Sequence, residues 1–556
     1  MNQENPVHGL FEENPDDLRA ACYQGTDAYQ KNEGYHTRTG SSIGDTGEVI
    51  PADRPRARVL LVYPDYTERD RSPVSTGGNY SEGLASISAV LKQAGHQVEL
   101  LHLLYVHKEA DFKKKLQTKG AFDVIGFSIR TTAFIDCKEY IKWTKEVYPD
   151  TFITCGSYHV TLLPDEVLSV DGADCVCVGD GEYATLELCE KLMAGEDHTN
   201  IESMYFKMPD GTFKHNPIRP VFEDLERLPI PDFELFDYNN LSASKMNTAI
   251  VMMSRGCLFS CTYCGNSQFR NVYPNRKKFA RFRSPENGIL YLKTLLQKYP
   301  YLQYLNFRDA IFNMYPDWFD AFIALYKKEI NLPFTCNVRF DVLTEDTVRK
   351  MAEAGCYTID VGVESGDEEI RTKYLRRLMT DQQMINACEW FHKYNVMVLT
   401  YNIVGLPHED LHKALKTVKL NAKLKSDRII PNIFYPYPMT VLHDIAKQAG
   451  FLPDVISPDC KVPLKQKQFP EHHVLFVADY FMFFVKRYKR LKKWPKFLQN
   501  ARENWLDFWF TGPLTPRRTL VFLYTIKAGI TKNLKSFLRN HCPAFYLKLR
   551  NRRLKK

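Results

Sequence analysis

The sequence predicts an α/β protein built from two successive parallel β/α series and closed by a basic, helical C-terminal extension. Three observations carry this prediction. Short apolar runs alternate with helix-length segments twice over, across residues 56–200 and again across 243–455. A stretch rich in proline and acids, residues 201–242, reads as the linker between them. From residue 456 onward the strand–helix rhythm stops and the charge turns strongly positive.

Within the first series, Arg58–Tyr63 is a continuous apolar run ending at Pro64, the pattern of a strand buried on both faces. A helix over 80–94 follows, stopped by Gly95, and then strands over 97–101, 123–128, 151–156 and 175–178, with helices over 137–147 and 183–192. In the second series the strands are 250–254, 303–308, 334–339, 357–363, 396–404 and 430–435. Their helices are 284–297, 318–330, 345–354, 381–394 and 412–424, so six βα units form a partial (βα)6 version of the TIM-type barrel, which binds ligands at the carboxyl ends of its strands.

Composition bounds the rest. At 556 residues the chain exceeds what one core serves, and 44% hydrophobic with 25% charged residues is an ordinary globular balance. Residues 1–55 form a polar N-terminal extension without periodicity. No basic-then-apolar leader opens the chain, and no apolar run reaches the roughly 20 residues that span a bilayer, which points to a cytoplasmic protein. Its 14 cysteines are scattered, as expected of reduced thiols, and most read as small buried side chains.

Three of them do not. Arg255-Gly-Cys257-Leu-Phe-Ser-Cys261-Thr-Tyr-Cys264-Gly265 directly follows the first barrel strand and brings three soft ligands within eight residues. Three thiolates can wrap one iron–sulfur cluster and leave one iron open to substrate, whereas a structural site is closed by four ligands. The competing reading is a zinc site completed by Cys336 or Cys356.

The CxxxCxxC spacing, with Tyr263 before the third cysteine, resembles the radical S-adenosylmethionine (SAM) superfamily, and more narrowly its cobalamin-binding class. Further segments carry the likeness: Arg283-Ser-Pro-Glu-Asn287, Gly362-Val-Glu-Ser-Gly366, Leu375-Arg-Arg-Leu-Met379, Ile403-Val-Gly-Leu-Pro407 with Glu409, and Tyr435-Pro-Tyr-Pro438. The resemblance implies a [4Fe–4S] cluster on Cys257, Cys261 and Cys264, with SAM chelating the open iron and cleaved to a 5′-deoxyadenosyl radical. It places Tyr263, Asp309, Glu364, Ser365, Arg377, Ile403 and Gly405 around SAM.

The first series resembles the flavodoxin-like (Rossmann-type) B12-binding domain. By that likeness Ser128, Arg130, Gly156, Ser157, His159, Gly179, Gly181 and Glu182 surround cobalamin. The signature that supplies a histidine beneath cobalt is absent, which implies a corrinoid held without one. Together the cofactors imply C-methylation of an unactivated carbon. The same constellation also serves radical cyclisation, rearrangement or oxidation, and a non-catalytic metal- or cobalamin-binding membrane-associated protein is the alternative of another class. An external one-electron donor of flavodoxin or ferredoxin type is implied.

From Lys486 to Lys556 there are 20 Lys/Arg against two acids, Glu503 and Asp507, a charge of +18 in a chain of net +8. Apolar-aromatic stretches alternate with these basic clusters: Val474–Val485, the aromatic group Trp505, Phe508, Trp509 and Phe510, and Leu520–Ile526. That pattern suits helices in a membrane interface, peripheral on its inner face, with a lipid or isoprenoid substrate. It equally suits a helical cap over the barrel, and nucleic acid is the third partner class it admits.

Overall fold

The computed structural model describes residues 56–66, 77–454, 456, 460–491 and 493–542. The N-terminal extension 1–55 and the closing basic run 550–556 lie outside them.

The first series runs β1 (Arg58–Pro64), α1 (Glu82–Gln93), β2 (Gln97–Leu103), α2 (Glu109–Gln117), β3 (Val124–Ser128), α3 (Phe134–Val147), β4 (Phe152–Gly156), α4 (Tyr158–Leu162), α5 (Pro164–Leu168), β5 (Cys175–Cys177) and α6 (Glu182–Ala194). Strand order is β2-β1-β3-β4-β5, all parallel, so the order reverses between β1 and β3. Six of the seven β1 residues are buried, because helices cover both faces. The expected linker is more than that. Its β6 (Met204–Lys207) and β7 (Phe213–His215) add an antiparallel hairpin to the sheet edge. Farther on, Phe233, Leu235, Phe236 and Tyr238 are buried between the two sheets, with Tyr238 stacked on Tyr299 at 4.3 Å.

The second series comprises β8 (Thr248–Val251), β9 (Ser254–Arg255), α7 (Gly265–Val272), β10 (Arg281–Phe282), α8 (Pro285–Lys298), β11 (Tyr304–Phe307), α9 (Pro316–Glu329), β12 (Phe334–Val338), α10 (Glu345–Glu353), β13 (Cys356–Glu364), α11 (Asp381–Lys393), β14 (Met397–Val404), α12 (Leu411–Lys423) and β15 (Arg428–Ile433). Six parallel strands, ordered β15-β14-β13-β12-β11-β8, form an open barrel. Local sequence sets the helix starts: Ser284 caps α8, Thr344 caps α10, and Thr380 with Gln383 closes a capping box on α11.

Four helices follow: α13 (Val441–Gln448), α14 (Glu471–Leu491), α15 (Lys496–Thr511) and α16 (Arg517–His541). The structure corrects the interfacial reading of the first apolar stretch. Val474, Val477, Phe481, Phe484 and Val485 of α14 are buried and share a core with Val404, Leu415 and Val418 of the barrel. This helix caps the barrel.

One apolar core spans both sheets, running from Val59 and Leu61 to Val251 and Phe307. Charge bridges the same seam. Arg255 pairs with Glu182 at 2.5 Å and Asp180 at 3.3 Å, Arg281 also pairs with Asp180, and Tyr291 donates to Glu82 at 3.1 Å. Glu182 is only 2% exposed, so removing its partner strands a buried charge. Arg255→Ala is expected to cost about 3–5 kcal/mol of stability, read as a lower urea midpoint. Pairing the neutral isosteres Arg255→Met and Glu182→Gln is expected to recover most of that loss.

Candidate functional site

The loop 256–264 leaves β9 and delivers its cysteines to the mouth of the barrel. Cys257 and Cys261 are buried and Cys264 is half-buried at the start of α7. Short bonds fix the loop: Arg270 donates to the Leu258 carbonyl at 2.6 Å and to Ser260 Oγ at 2.7 Å, and Ser267 Oγ to the Cys264 carbonyl at 2.7 Å. Burial pushes the thiols up, Cys257 to about 11 and Cys264 to about 12.

Two guanidiniums face the sulfur of Cys261. Arg339, just past β12, lies with Nη1 3.3 Å away, and Arg377 with Nη1 3.9 Å away. Asp341 holds Arg339 in a bidentate pair at 2.7 and 3.0 Å, and Phe259 lies beneath it. Sequence reading misses Arg339, although its place at the end of a barrel strand was the available signal.

Glu364 completes this group. The register of β13 shifts between Gly362 and Glu364, and Glu364 adopts φ +61°, a bulge that turns its side chain back over the strand. A β-carbon on Gly362 would fall 2.2 Å from Glu364 Oε1, so only glycine permits that fold-back. Tyr263 donates to Glu364 Oε1 at 3.0 Å, and Arg377 contacts the Tyr263 hydroxyl at 3.3 Å and the Gly362 carbonyl at 2.5 Å. Burial raises the Glu364 carboxyl against the opposing pull of Arg377. Arg377 Nε is buried without a hydrogen-bond partner among the described residues, an open donor for an anionic group.

Other residues expected around SAM divide. Ile403 packs beside Tyr263 and Tyr374. Gly405 N–H donates to Glu409 Oε2 at 2.6 Å, and its open side meets Val474 of α14. Asp309 is fully buried beneath the site, accepting from Met253 N and Ser254 Oγ, and burial pushes it up to about 6. Ser365 is fully buried behind Glu364, bonded to Asp367 N. These last two bond at the strand ends, and Asp309 keeps one buried oxygen, Oδ2, without a hydrogen-bond partner among the described residues. Cys336 and Cys356 lie buried against one another in β12 and β13. Among the described residues neither contacts Cys257, Cys261 or Cys264, and the cysteine nearest each of them is the other.

A cavity of about 320 Å³ opens at the β1/β3 reversal, where doubly wound folds take ligands. Ser128, Gly156, Ser157, Gly179, Gly181 and Glu182 line it. Small side chains at these strand ends leave room for a flat heteroaromatic group, and the volume suits one lobe of a large cofactor. Arg130 and His159 do not line it. Arg130 turns to the Pro64 carbonyl at 2.8 Å, and His159 is packed on Phe134, its imidazole held down to about 4 by burial. Its far wall is Met252, Met253, Ser254 and Arg255, the residues that lead into the cysteine loop.

At the other end of that loop, Tyr158 after β4 reaches across. A β-carbon on Gly265 would sit 1.3 Å from the Tyr158 hydroxyl, so glycine is required for this contact. Burial raises the Tyr158 phenol, with Cys264 and Tyr437 beside it.

The comparisons agree with this geometry. Residues 251–420 match the Radical SAM superfamily and residues 76–189 the B12 binding domain. The chain is 27% identical over 396 residues to an uncharacterized methyltransferase of Pyrococcus horikoshii, covering 70% of this chain and 83% of that protein. It is 22% identical to the anaerobic magnesium-protoporphyrin IX monomethyl ester cyclase of Rubrivivax gelatinosus, covering 69% of each. The cobalamin-dependent SAM radical enzyme OxsB, solved with aqua-cobalamin and SAM bound, shares the fold at TM-score 0.62 and 15% identity, over 95% of this chain and 78% of that one.

Glu409 gives a pH test of the loop after β14. It is fully buried, accepts from Gly405 N and from Leu406 N at 3.0 Å, and burial pushes its carboxyl up to about 8. The folded state therefore holds this proton more tightly than the unfolded chain, whose carboxyl titrates near 4.5. Its contribution is full below pH 4.5 and is lost as pH rises toward 8, by up to a few kcal/mol. Glu409→Gln is expected to flatten the fall of the urea midpoint between pH 5 and pH 8, in about that proportion.

Proposed function

Because the chain is a radical SAM enzyme with a B12-binding domain ahead of its barrel, we propose that it is a cobalamin-dependent C-methyltransferase. One observation carries the reading. One wall of the β1/β3 cavity is Met252–Arg255, which runs from the end of β8 through β9, and Cys257 follows two residues later, so the two cofactor cradles would share one stretch of backbone. A methyl donor and a radical source must act on the same carbon, and cradles sharing this seam would set them side by side. In this reading residues 56–200 form the corrinoid domain and 243–455 the radical core.

Cys257, Cys261 and Cys264 would hold the cluster; Tyr263, Glu364, Arg377, Ile403 and Gly405 would surround SAM; Ser128, Gly156, Ser157, Gly179, Gly181 and Glu182 would surround the corrinoid. When bound, the cluster and SAM supply a 5′-deoxyadenosyl radical that removes a hydrogen atom, and the corrinoid supplies the methyl group. The chain's own residues orient and insulate. Arg339 and Arg377 offset the negative charge of the thiolates in a buried site, where such charge is costly. The open Nε of Arg377 suits the SAM carboxylate, and Glu364 the SAM amine. Tyr158, with Cys264 and Tyr437 beside it, would close off the region between the cradles. Electrons come from a flavodoxin- or ferredoxin-type donor, and the substrate is a small molecule, with lipids and isoprenoids favoured by the C-terminal helices. Cyclisation without methyl transfer is the second reading, favoured by the likeness to a cyclase.

The test uses anaerobically reconstituted protein. Bound iron and corrinoid together, with S-adenosylhomocysteine formed alongside 5′-deoxyadenosine and a deuterated methyl carried from SAM into product, are the expected results. Deoxyadenosine with no methyl consumed would select the cyclase reading. Each of Cys257→Ala, Cys261→Ala and Cys264→Ala is expected to lose the cluster's electron paramagnetic resonance signal and deoxyadenosine formation. Arg377→Met is expected to keep the cluster and weaken SAM roughly ten- to hundredfold, the loss of one charge-assisted contact.

Gly156→Val separates the two cofactors. Its β-carbon would stand 3.9 Å from Cys177 Cβ, an ordinary contact, so the sheet accepts it while the side chain fills the cavity. Corrinoid uptake, read by visible absorption, is expected to fall to background with iron content unchanged.

A further inference from the structure

We infer that the outward faces of α15 and α16 form a docking surface for an anionic lipid bilayer. Among the described residues, 13 of the 18 large hydrophobic side chains exposed to solvent fall between Phe483 and Leu534. Such a concentration marks an interaction surface, since scattered exposed apolar residues are the norm.

On α15 the apolar residues occupy two faces. Leu506 and Phe510 point inward to the core under α14. Phe497, Trp505, Phe508 and Trp509 recur at helical spacing on the outer side, with Phe497 80% and Trp505 60% exposed. Tryptophan with basic neighbours is the composition of a helix lying at the headgroup level. Arg502 stacks on Trp494 within this group. The first turn of α16 is tied down, with Arg517 donating to the Phe510 and Gly512 carbonyls at 2.8 Å and Tyr480 to the Leu520 carbonyl at 3.0 Å. Beyond it every residue from Phe522 to Ile530 is exposed. Among them Leu523, Ile526 and Ile530, with Leu534 one turn on, share one stripe of the helix.

Charge selects the occupant. Glu503 and Asp507 are the only acids after residue 485, and both turn to Lys419 of the barrel at 2.7 Å. Both acids thus pair with the barrel, and the sequence after residue 485 supplies no other carboxylate side chain to oppose its 20 Lys/Arg. An apolar-aromatic stripe among unopposed cations matches anionic headgroups over acyl chains. No helix among the described residues is long and apolar enough to cross a membrane, so the contact is peripheral.

The test is vesicle co-sedimentation of the full-length reconstituted protein, with phosphatidylcholine vesicles compared with mixed phosphatidylcholine–phosphatidylglycerol vesicles. Binding is expected to be about tenfold tighter on the anionic vesicles and weakened by salt, with a blue shift of tryptophan emission. The triple variant Trp505→Ser/Phe508→Ser/Trp509→Ser alters only exposed side chains. It is expected to bind anionic vesicles about tenfold more weakly while its circular dichroism and cluster content stay unchanged. Absence of vesicle binding by the wild type would overturn the inference. So would a triple variant that binds vesicles normally but loses self-association or RNA binding, which would assign the face to a second copy of the chain or to nucleic acid.

Discussion

Between Arg255 and Gly265 the loop that carries the three cysteines is tied at both ends to the N-terminal domain, by the pairs of Arg255 with Glu182 and Asp180 and by the approach of Gly265 to Tyr158. Neither tie is local in sequence. Each requires the flavodoxin-like sheet to be docked on the barrel, and the apolar core running between the sheets supplies that docking. The geometry of the loop is therefore a property of the assembled pair of domains. This is also why the connecting residues Phe233–Tyr238 cannot be a loose tether: they fill the space that fixes the angle between the sheets.

Electrostatics at the loop follow from the same enclosure. Thiols, Glu364 and Tyr263 are buried together, and burial alone would keep each of them neutral. Arg339 and Arg377 are buried with them, an arrangement that costs free energy unless negative charge is present to meet it. Asp341 already meets the charge of Arg339, so Arg377, with its buried Nε left without a partner among the described residues, is the cation that stands in advance of an anion. Such preorganisation is worth more in a dry crevice than at a surface, because no solvent must reorient when charge arrives. The bulge at Gly362–Glu364 stores strain for the same purpose, holding a carboxylate where an ordinary strand would point it elsewhere.

How much of this is legible in the sequence depends on range. The cysteine loop is contiguous, so its spacing reveals it, and β1 or α8 are read from one run of residues and one cap. The β6–β7 hairpin escapes because strands of four and three residues carry too few positions to show alternation. The carboxyl ends of strands can be picked out from the sequence, yet direction within a strand end cannot. Arg339 reaches Cys261 and Glu364 reaches Tyr263, whereas Ser365, one residue on, bonds back to Asp367 N, and nothing in the spacing separates the neighbours. His159 shows the same limit on a helix: in α4 it lies one residue, about 100° of turn, beyond Tyr158, which reaches the cysteine loop, and its own ring packs on Phe134.

The C-terminal helices show a different limit. Composition describes Val474–Val485 and the aromatic group around Trp505 in the same terms, as apolar stretches bounded by cations. What separates them is the number of apolar faces. A helix needs one such face to be held by a fold. The buried apolar face of α14 meets the barrel, whereas α15 carries an inner face that attaches it and an outer face of exposed aromatics without a partner elsewhere in the core among the described residues. The attachment of α15 is itself specific, because Lys419 engages Glu503 and Asp507, and Tyr488 donates to Asp507 at 2.7 Å. The outer tryptophans contribute to none of these contacts. The groups that secure the extension and the groups it presents are thus different residues, and the presented face can be matched to a partner without altering the helices that brace the barrel.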